Sequence, residues 1–351
     1  MQVHPDFQIQ GRSFANTNEL LEYVKENFPS HILFLEDLLD DKNYILAQTS
    51  GSTGKPKKIR LNKKAVFHSA KTSIDFFELS QGTKALLNLS SDYIAGKMMW
   101  VRALVGGWNL TISSPRNKEI RKILLKEKFD FGAMVPLQLI SNFDLLENIN
   151  LLIVGGGALD ETFINKIDNL RSSIFATYGM TETITHIAVS PLNHMAESFK
   201  PGLEKNIYIA LPNIEFHKDK RNCLVIKAPK LNEEEIITND VVELIDPCHF
   251  IWKGRYDHII NTGGIKIYPE EIEKILSPFI PQDFFISSIQ DPKFGNKIVL
   301  VVEGSKKINI SFENILPKYS IPKQIIYLPE FIRTSSGKIA RYKTMELINK
   351  D

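Results

Sequence analysis

Apolar and polar positions follow two different rhythms along this chain. Up to about residue 200, short apolar runs alternate with stretches of helical period. "NYILAQ" (43–48), "KALLNL" (84–89), "WNLTI" (108–112), "FDFGAMV" (129–135), "NLLIVGG" (150–156) and "SIFATY" (173–178) predict strands. The segment from about Lys63 to Leu79, "RKILLKEKF" (121–129) and "ETFINKIDNL" (161–170) space their apolar residues as helices do. Strands alternating with helices predict an α/β fold, a parallel sheet covered by helices. From about 205 the rhythm changes to short strands and turns ("NIYIA", "IEFHK", "CLVIK", "VVELID", "HFIWKG"), which predicts an antiparallel, barrel-like stretch attached to the α/β part. After "GRYDHII" (254–260) comes a smaller α+β pattern, with a helix near 269–277 and strands near 283–289 and 297–303. The expected division is a large N-terminal domain over 1–256 and a small C-terminal domain over 257–351.

Composition narrows the class. The 351 residues suffice for two domains, and 43% hydrophobic with 24% charged content is that of a globular protein. A formal net charge of +2 gives no reason to expect nucleic acid or an anionic membrane as partner. Cys223 and Cys248 have no C-x-x-C spacing, so neither a disulfide framework nor a zinc site is indicated. The N-terminus lacks the basic and apolar regions of a secretory signal, and the longest apolar stretch, "GKMMWVRALVGGW", is interrupted by Lys97 and Arg102. The expected location is the cytoplasm.

"QTSGSTGKPKKI" (48–59) has the small residues and lysines of a phosphate-holding loop, yet it fails G-x-x-x-x-G-K-[ST]. The first glycine would fall at Thr49, and Pro56 follows Lys55. Read from its residues, a strand running into T-S-G-S-T-G puts flexible backbone at the carboxyl edge of a parallel sheet. Gly51 and Gly54 allow close approach, Ser50, Ser52 and Thr53 add hydroxyls, and successive N–H groups can wrap an anion.

"TSGSTGKPKK" resembles the phosphate loop of the adenylate-forming superfamily of acyl-CoA synthetases, adenylation domains and luciferases. Three more segments resemble that family in its order: "YGMTET" (178–183), "GRYDHIINTGGIKIYPEEIE" (254–273) and "SSGKIAR" (335–341). The resemblance implies that a carboxylate attacks the α-phosphate of ATP to give acyl-AMP and pyrophosphate, and that a thiol then displaces AMP. It implies ATP, Mg²⁺ and CoA as cofactor and co-substrates. Thr49 to Gly54, with Lys55 or Lys57, would hold the β- and γ-phosphates. Thr181 would donate to the α-phosphate and Glu182 would carry the Mg²⁺. "VGGGAL" (154–159), with Gly156, Gly157 and Ala158, would line the adenine pocket beside Tyr178, Gly179 and Met180, the tyrosine stacking on the base. Asp240 would bind the ribose, although "TND" has Asn239 where the family has glycine, and Arg255 would reach ribose or phosphate. Lys338 would bridge carboxylate and α-phosphate. The hinge segment implies a mobile C-terminal domain that rotates about Asp257, so that Gly263 and Gly264 admit a pantetheine arm. His186, without a ligand partner, reads as packing or pocket wall rather than metal ligand.

The acid is the least constrained element. Only 47 residues precede Gln48, and this brevity resembles the compact o-succinylbenzoate–CoA ligases of menaquinone biosynthesis. In "SSDYIAGKMMWVRALVGG" (90–107), Tyr93 stands where the family usually has histidine and would wall the acid pocket. Lys97 and Arg102 on an otherwise apolar helix predict either snorkelling cations or a second substrate carboxylate. The alternative to CoA is a carrier-protein thiol.

Overall fold

The computed structural model describes residues 3–48, 57–292, 295–334 and 338–348. One thirteen-stranded sheet dominates it, parallel at the centre. Asn109–Ile112, Lys84–Leu87, Phe129–Met134, Ile149–Val154 and Ser173–Gly179 lie side by side in that order. Successive residues of these strands enter different cores. Leu151 and Ile153 join a cluster with Trp100 and Leu104 of helix Ile94–Gly106, whereas Leu152 and Val154 pack with Leu139, Leu146 and Phe163. Strands buried on both faces read as unbroken apolar runs, which is why they were legible.

The antiparallel stretch continues this sheet as an open array. His186–Pro191, Tyr208–Ala210, His249–Arg255, Ile236–Asp246, Cys223–Lys227 and Glu215–Lys218 follow Ser173–Gly179 in that order. The direction reverses because only a turn, Thr181–Thr183, connects Ser173–Gly179 to His186–Pro191. A parallel return needs a crossover of a dozen or more residues.

The expected placement of "NYILAQ" requires correction. Tyr44–Gln48 does not enter the parallel sheet; it pairs antiparallel with Lys58–Asn62 as a separate two-stranded sheet. The second strand, "KIRLN", is barely marked in the sequence, because its period is carried only by Ile59 and the buried Leu61. Residues 49–56, between the two arms, lie outside the described residues.

Beyond residue 259 the chain has a core of its own. Helix Pro269–Leu276 packs Ile272 and Leu276 against Ile286, Ile298, Leu300 and Val302 of strands Phe284–Asp291 and Gly295–Glu303. Gln324–Leu328 completes that sheet, and helix Arg341–Ile348 lies last. Among the described residues, no helix is long and apolar enough to cross a membrane.

Candidate active site

The loops that follow parallel strands gather at one edge of the sheet, where open α/β sheets bind ligands. Gly156, Gly157 and Ala158 are exposed there after Ile149–Val154, and Tyr178 to Glu182 leave the neighbouring strand. Gly179 is required by packing: a Cβ at that position would stand 2.3 Å from the Thr185 carbonyl oxygen. Gly179→Ala is therefore expected to destabilise the fold by about 1–3 kcal/mol, read as a lower melting temperature.

A single 3₁₀ turn, Thr181–Thr183, presents the motif's polar residues: Thr181 is buried and Glu182 exposed. Ile184 closes the turn at φ 68° and ψ −55°, with the Thr185 N–H donating to the Thr183 carbonyl at 2.8 Å. This is a strained γ-turn at a β-branched residue, held by the burial of Ile184. It directs Thr181 inward and Glu182 outward within one turn.

Asp240 is the most heavily held carboxylate of the site. It accepts from the Tyr178 hydroxyl at 2.7 Å and the Trp252 indole N–H at 3.2 Å, and lies 3.5 Å from the Arg255 guanidinium. Arg255 faces it across the sheet register and also donates to Asp257 at 3.2 Å. Burial, reinforced by the Asp240 charge, keeps the Tyr178 hydroxyl protonated well above the usual phenol range. The Tyr178 ring lies edge-on to Tyr208 and Phe250. Asn239 lies within strand Ile236–Asp246 and accepts from Arg221 at 2.9 Å, so no turn forms there and no glycine is needed. Lys338, remote in sequence, comes close enough for Arg255 and Asp240 to act on its charge. Its ammonium retains solvent contact, yet loss of hydration, with repulsion from Arg255, holds its pKa below the ordinary lysine value.

The two cations of helix Ile94–Gly106 do not snorkel. Lys97 donates to the Leu46 carbonyl at 3.0 Å and sits 4.8 Å from the centre of the Phe34 ring. Arg102 is 1% exposed and meets Thr185 Oγ1 at 3.2 Å and His186 Nδ1 at 3.4 Å, while its Nε has no partner among the described residues. Burial pushes Arg102 down to about 9, which leaves it charged at neutral pH. His186 is buried and held neutral, first by desolvation and then by Arg102. Its Nδ1 accepts from Arg102, so Nε2 carries the proton that faces Ser73 Oγ at 3.1 Å. Tyr93 is 45% exposed at the start of the same helix, and Gly96 lets that helix close on the Ser90 carbonyl, 2.2 Å from where a Cβ would stand.

Among the described residues, no group of three His, Cys, Asp or Glu could form a metal cage. Glu182 offers a lone exposed carboxylate beside Thr181, which fits Mg²⁺, an ion usually held by one or two carboxylates together with substrate phosphates. Thr49, Ser50, Gly51, Ser52, Thr53, Gly54 and Lys55 lie outside the described residues; Lys57 is exposed just before Lys58–Asn62. Gly263 and Gly264 have φ of 54° and 83° and form the two-residue turn joining Ile260–Thr262 to Ile265–Ile267. The hairpin alone accounts for both glycines. Trp252 and Thr185 belong to no motif of the sequence, and His186 finds its partners only through the fold. A tryptophan in a half-buried strand needs an acceptor for its N–H, which was the one available signal.

Residues 10–216 match the model of the AMP-binding enzyme family. The chain belongs to that family. It is 25% identical to a 2-succinylbenzoate–CoA ligase of Staphylococcus epidermidis, covering 96% of this chain and 75% of the relative. Among solved structures it is 30% identical to an acyl-CoA synthetase (AMP-forming)/AMP-acid ligase II-like protein of Dyadobacter fermentans, with a TM-score of 0.60 over 92% of this chain and 95% of that one. The fold is also that of an o-succinylbenzoate coenzyme A synthetase from Bacillus subtilis, solved with ATP and magnesium ion. That likeness has 20% identity and a TM-score of 0.74, covering 86% of this chain and 69% of that one. Thr181 and Glu182 lie within the matched residues, and Asp240, Arg255 and Lys338 beyond them.

Proposed function

We propose that this protein is an AMP-forming acid–CoA ligase whose acid is o-succinylbenzoate. The observation that carries the choice of acid is Arg102, a buried cation that no carboxylate among the described residues neutralises. Leaving a charge buried and unpaired is costly, and a substrate with a second carboxylate supplies the missing anion. 2-Succinylbenzoate has one carboxylate on its succinyl arm and one on its ring.

In the first step a carboxylate oxygen bonds to the α-phosphorus of ATP and the bond to pyrophosphate breaks. Asp240, fixed by Tyr178 and Trp252, holds the ribose, with Arg255 beside it. Thr181 donates to the α-phosphate, and Glu182 would hold the magnesium ion, which would supply neutralisation of phosphate charge when bound. Lys338 brings a positive charge to the two anions that must meet, and Asp240 and Arg255 already act on that charge. In the second step the CoA thiolate attacks the acyl carbon and AMP leaves. The similarity to a 2-succinylbenzoate–CoA ligase supports CoA as the thiol.

The decisive experiment is a panel of mono- and dicarboxylic acids assayed for CoA-dependent AMP release. Highest turnover with o-succinylbenzoate is expected; a monocarboxylic aryl or fatty acid turned over equally well would overturn the assignment. Arg102→Met should raise the KM for o-succinylbenzoate about ten- to a hundredfold, the worth of one charge-assisted contact of about 1.5–3 kcal/mol. It should leave the KM of a monocarboxylic analogue nearly unchanged. Lys97→Met should discriminate less, because Lys97 is already occupied by Leu46 and Phe34. Equal losses for both acids in Arg102→Met would reduce Arg102 to a packing role.

A further inference from the structure

The hinge segment and the C-terminal segment each carry charged residues that no step above uses. Glu270 and Glu273 lie one turn apart on helix Pro269–Leu276. Arg341 opens helix Arg341–Ile348, directly after the stretch that carries Lys338. The Arg341 guanidinium stands 2.6 Å from Glu273 Oε2 and 3.8 Å from Glu270 Oε1. The other oxygen of Glu273 accepts from the Ile286 N–H at 2.7 Å, which fixes that carboxylate on the C-terminal sheet. Glu270 also meets His258, next to Asp257 at the hinge. Its Oε2 lies 2.5 Å from where a Cβ on Gly254 would stand. The first turn of the helix therefore rests against the end of strand His249–Arg255, and a side chain at 254 would displace the Glu270 carboxylate.

Lys338 sits on the return arm of a narrow chain reversal. Arg333 bridges Ile339, the Thr334 N–H donates to the Lys338 carbonyl at 2.8 Å, and the Ala340 N–H donates to the Ile332 carbonyl at 2.7 Å. The outgoing arm is pinned by Arg333 to Asp283 and Glu303. The return arm is pinned at Arg341. The arginine that follows the lysine in sequence thus links the lysine's backbone to the same helix that touches the hinge.

We propose that Glu270, Glu273 and Arg341 are positioning residues that hold the Lys338 arm against the hinge helix for acyl-AMP formation and serve no part of thioester formation. This rests on the role given to Lys338 above. The hairpin at 260–267 runs directly into this helix and shares its core through Ile260, Ile267 and Ile272, so the step-selectivity rests on the Arg341 end of the clamp, which reaches only the lysine arm. A flexible ammonium misplaced by about 1 Å can cost about a hundredfold in rate, so loosening its anchor is felt only where the ammonium is needed.

The test uses Glu273→Gln, which keeps an acceptor for Ile286, together with Arg341→Lys and Arg341→Met. Each variant is assayed for pyrophosphate release with acid and ATP, for thioester formation from preformed acyl-AMP and CoA, and for melting temperature. Expected is a fall of about ten- to a hundredfold in kcat for pyrophosphate release, with KM for ATP nearly unchanged and thioester formation intact. Arg341→Lys should retain more activity than Arg341→Met, because it keeps the charge and loses only the fork. Added to Lys338→Ala, Glu273→Gln should cost nothing further, as expected of groups acting as one unit. Both half-reactions falling together with the melting temperature would make the cluster merely structural and overturn the proposal. Normal pyrophosphate release in Glu273→Gln and Arg341→Met, beside an impaired Lys338→Ala, would sink the clamp alone. Normal release in Lys338→Ala would instead remove the reading on which it rests.

Discussion

Lys338→Ala is expected to lose acyl-AMP synthesis by about two to three orders of magnitude while retaining thioester formation from supplied acyl-AMP. During adenylation two anions, the acid's carboxylate and the α-phosphate, are forced together, and charge concentrates as the new bond forms. A cation placed between them is attracted most strongly at that moment, which is the differential binding that accelerates a step. In thioester formation the thiolate meets an already neutral acyl carbon, so the same lysine has no comparable task. The sign of the pH effect follows from the environment. Lys338 is held below the lysine value of 10.5 by desolvation and by Arg255, and the protonated form is the one required. Adenylation is therefore complete at lower pH and is lost as pH rises through that lowered value. The alkaline limb of kcat/KM for pyrophosphate release should lie below the ordinary lysine range, since kcat/KM reports the free enzyme. The partner variant is Gly264→Leu: if the 263–264 turn admits the thiol arm, as the family resemblance implies, it should impair thioester formation and spare pyrophosphate release. Gly264 has φ of 83°, where leucine costs roughly 1–2 kcal/mol. Gly264→Asn, which tolerates that backbone, is the control for strain. Lys338→Ala impairing both steps alike would remove the rotating-domain reading of residues 257–351.

Glu182→Gln should reduce acyl-AMP formation by several orders of magnitude at unchanged stability. The substitution keeps shape and removes the charge that would hold Mg²⁺ to the triphosphate. The side chain is exposed on the outer side of the Thr181–Thr183 turn, so nothing in the packing depends on its charge. A structural effect is therefore separable: the melting temperature should not move, while the Mg²⁺ concentration needed for half-maximal pyrophosphate release rises. Wild-type rates at ordinary Mg²⁺ would take Glu182 out of the mechanism. A melting temperature several degrees lower would instead mean that the turn, with its strained Ile184, needs the carboxylate.

Sequence by itself determined the α/β class, the order of the parallel strands' apolar runs, the family and the segments that carry its chemistry. The apolar runs are a local property, since a strand buried on both faces must be apolar throughout. Resemblance to the family, rather than periodicity, pointed to Thr181, Glu182, Asp240, Arg255 and Lys338. Only the tertiary structure brought Lys338 to Asp240 and Arg255, and only it gave Asp240 the Trp252 and Tyr178 donors. It turned Tyr44–Gln48 into half of a separate hairpin, because pairing with "KIRLN" depends on a partner that local period barely marks. It also decided between the two readings of Lys97 and Arg102. Sequence spacing puts both on one helix, but whether a cation snorkels or is buried depends on what packs over it. Here Leu46 and Phe34 cover the first, and Thr185 and His186 enclose the second without an anion. Periodicity records which face of an element is apolar, whereas a site depends on which elements meet, and that is set by the packing of the whole chain.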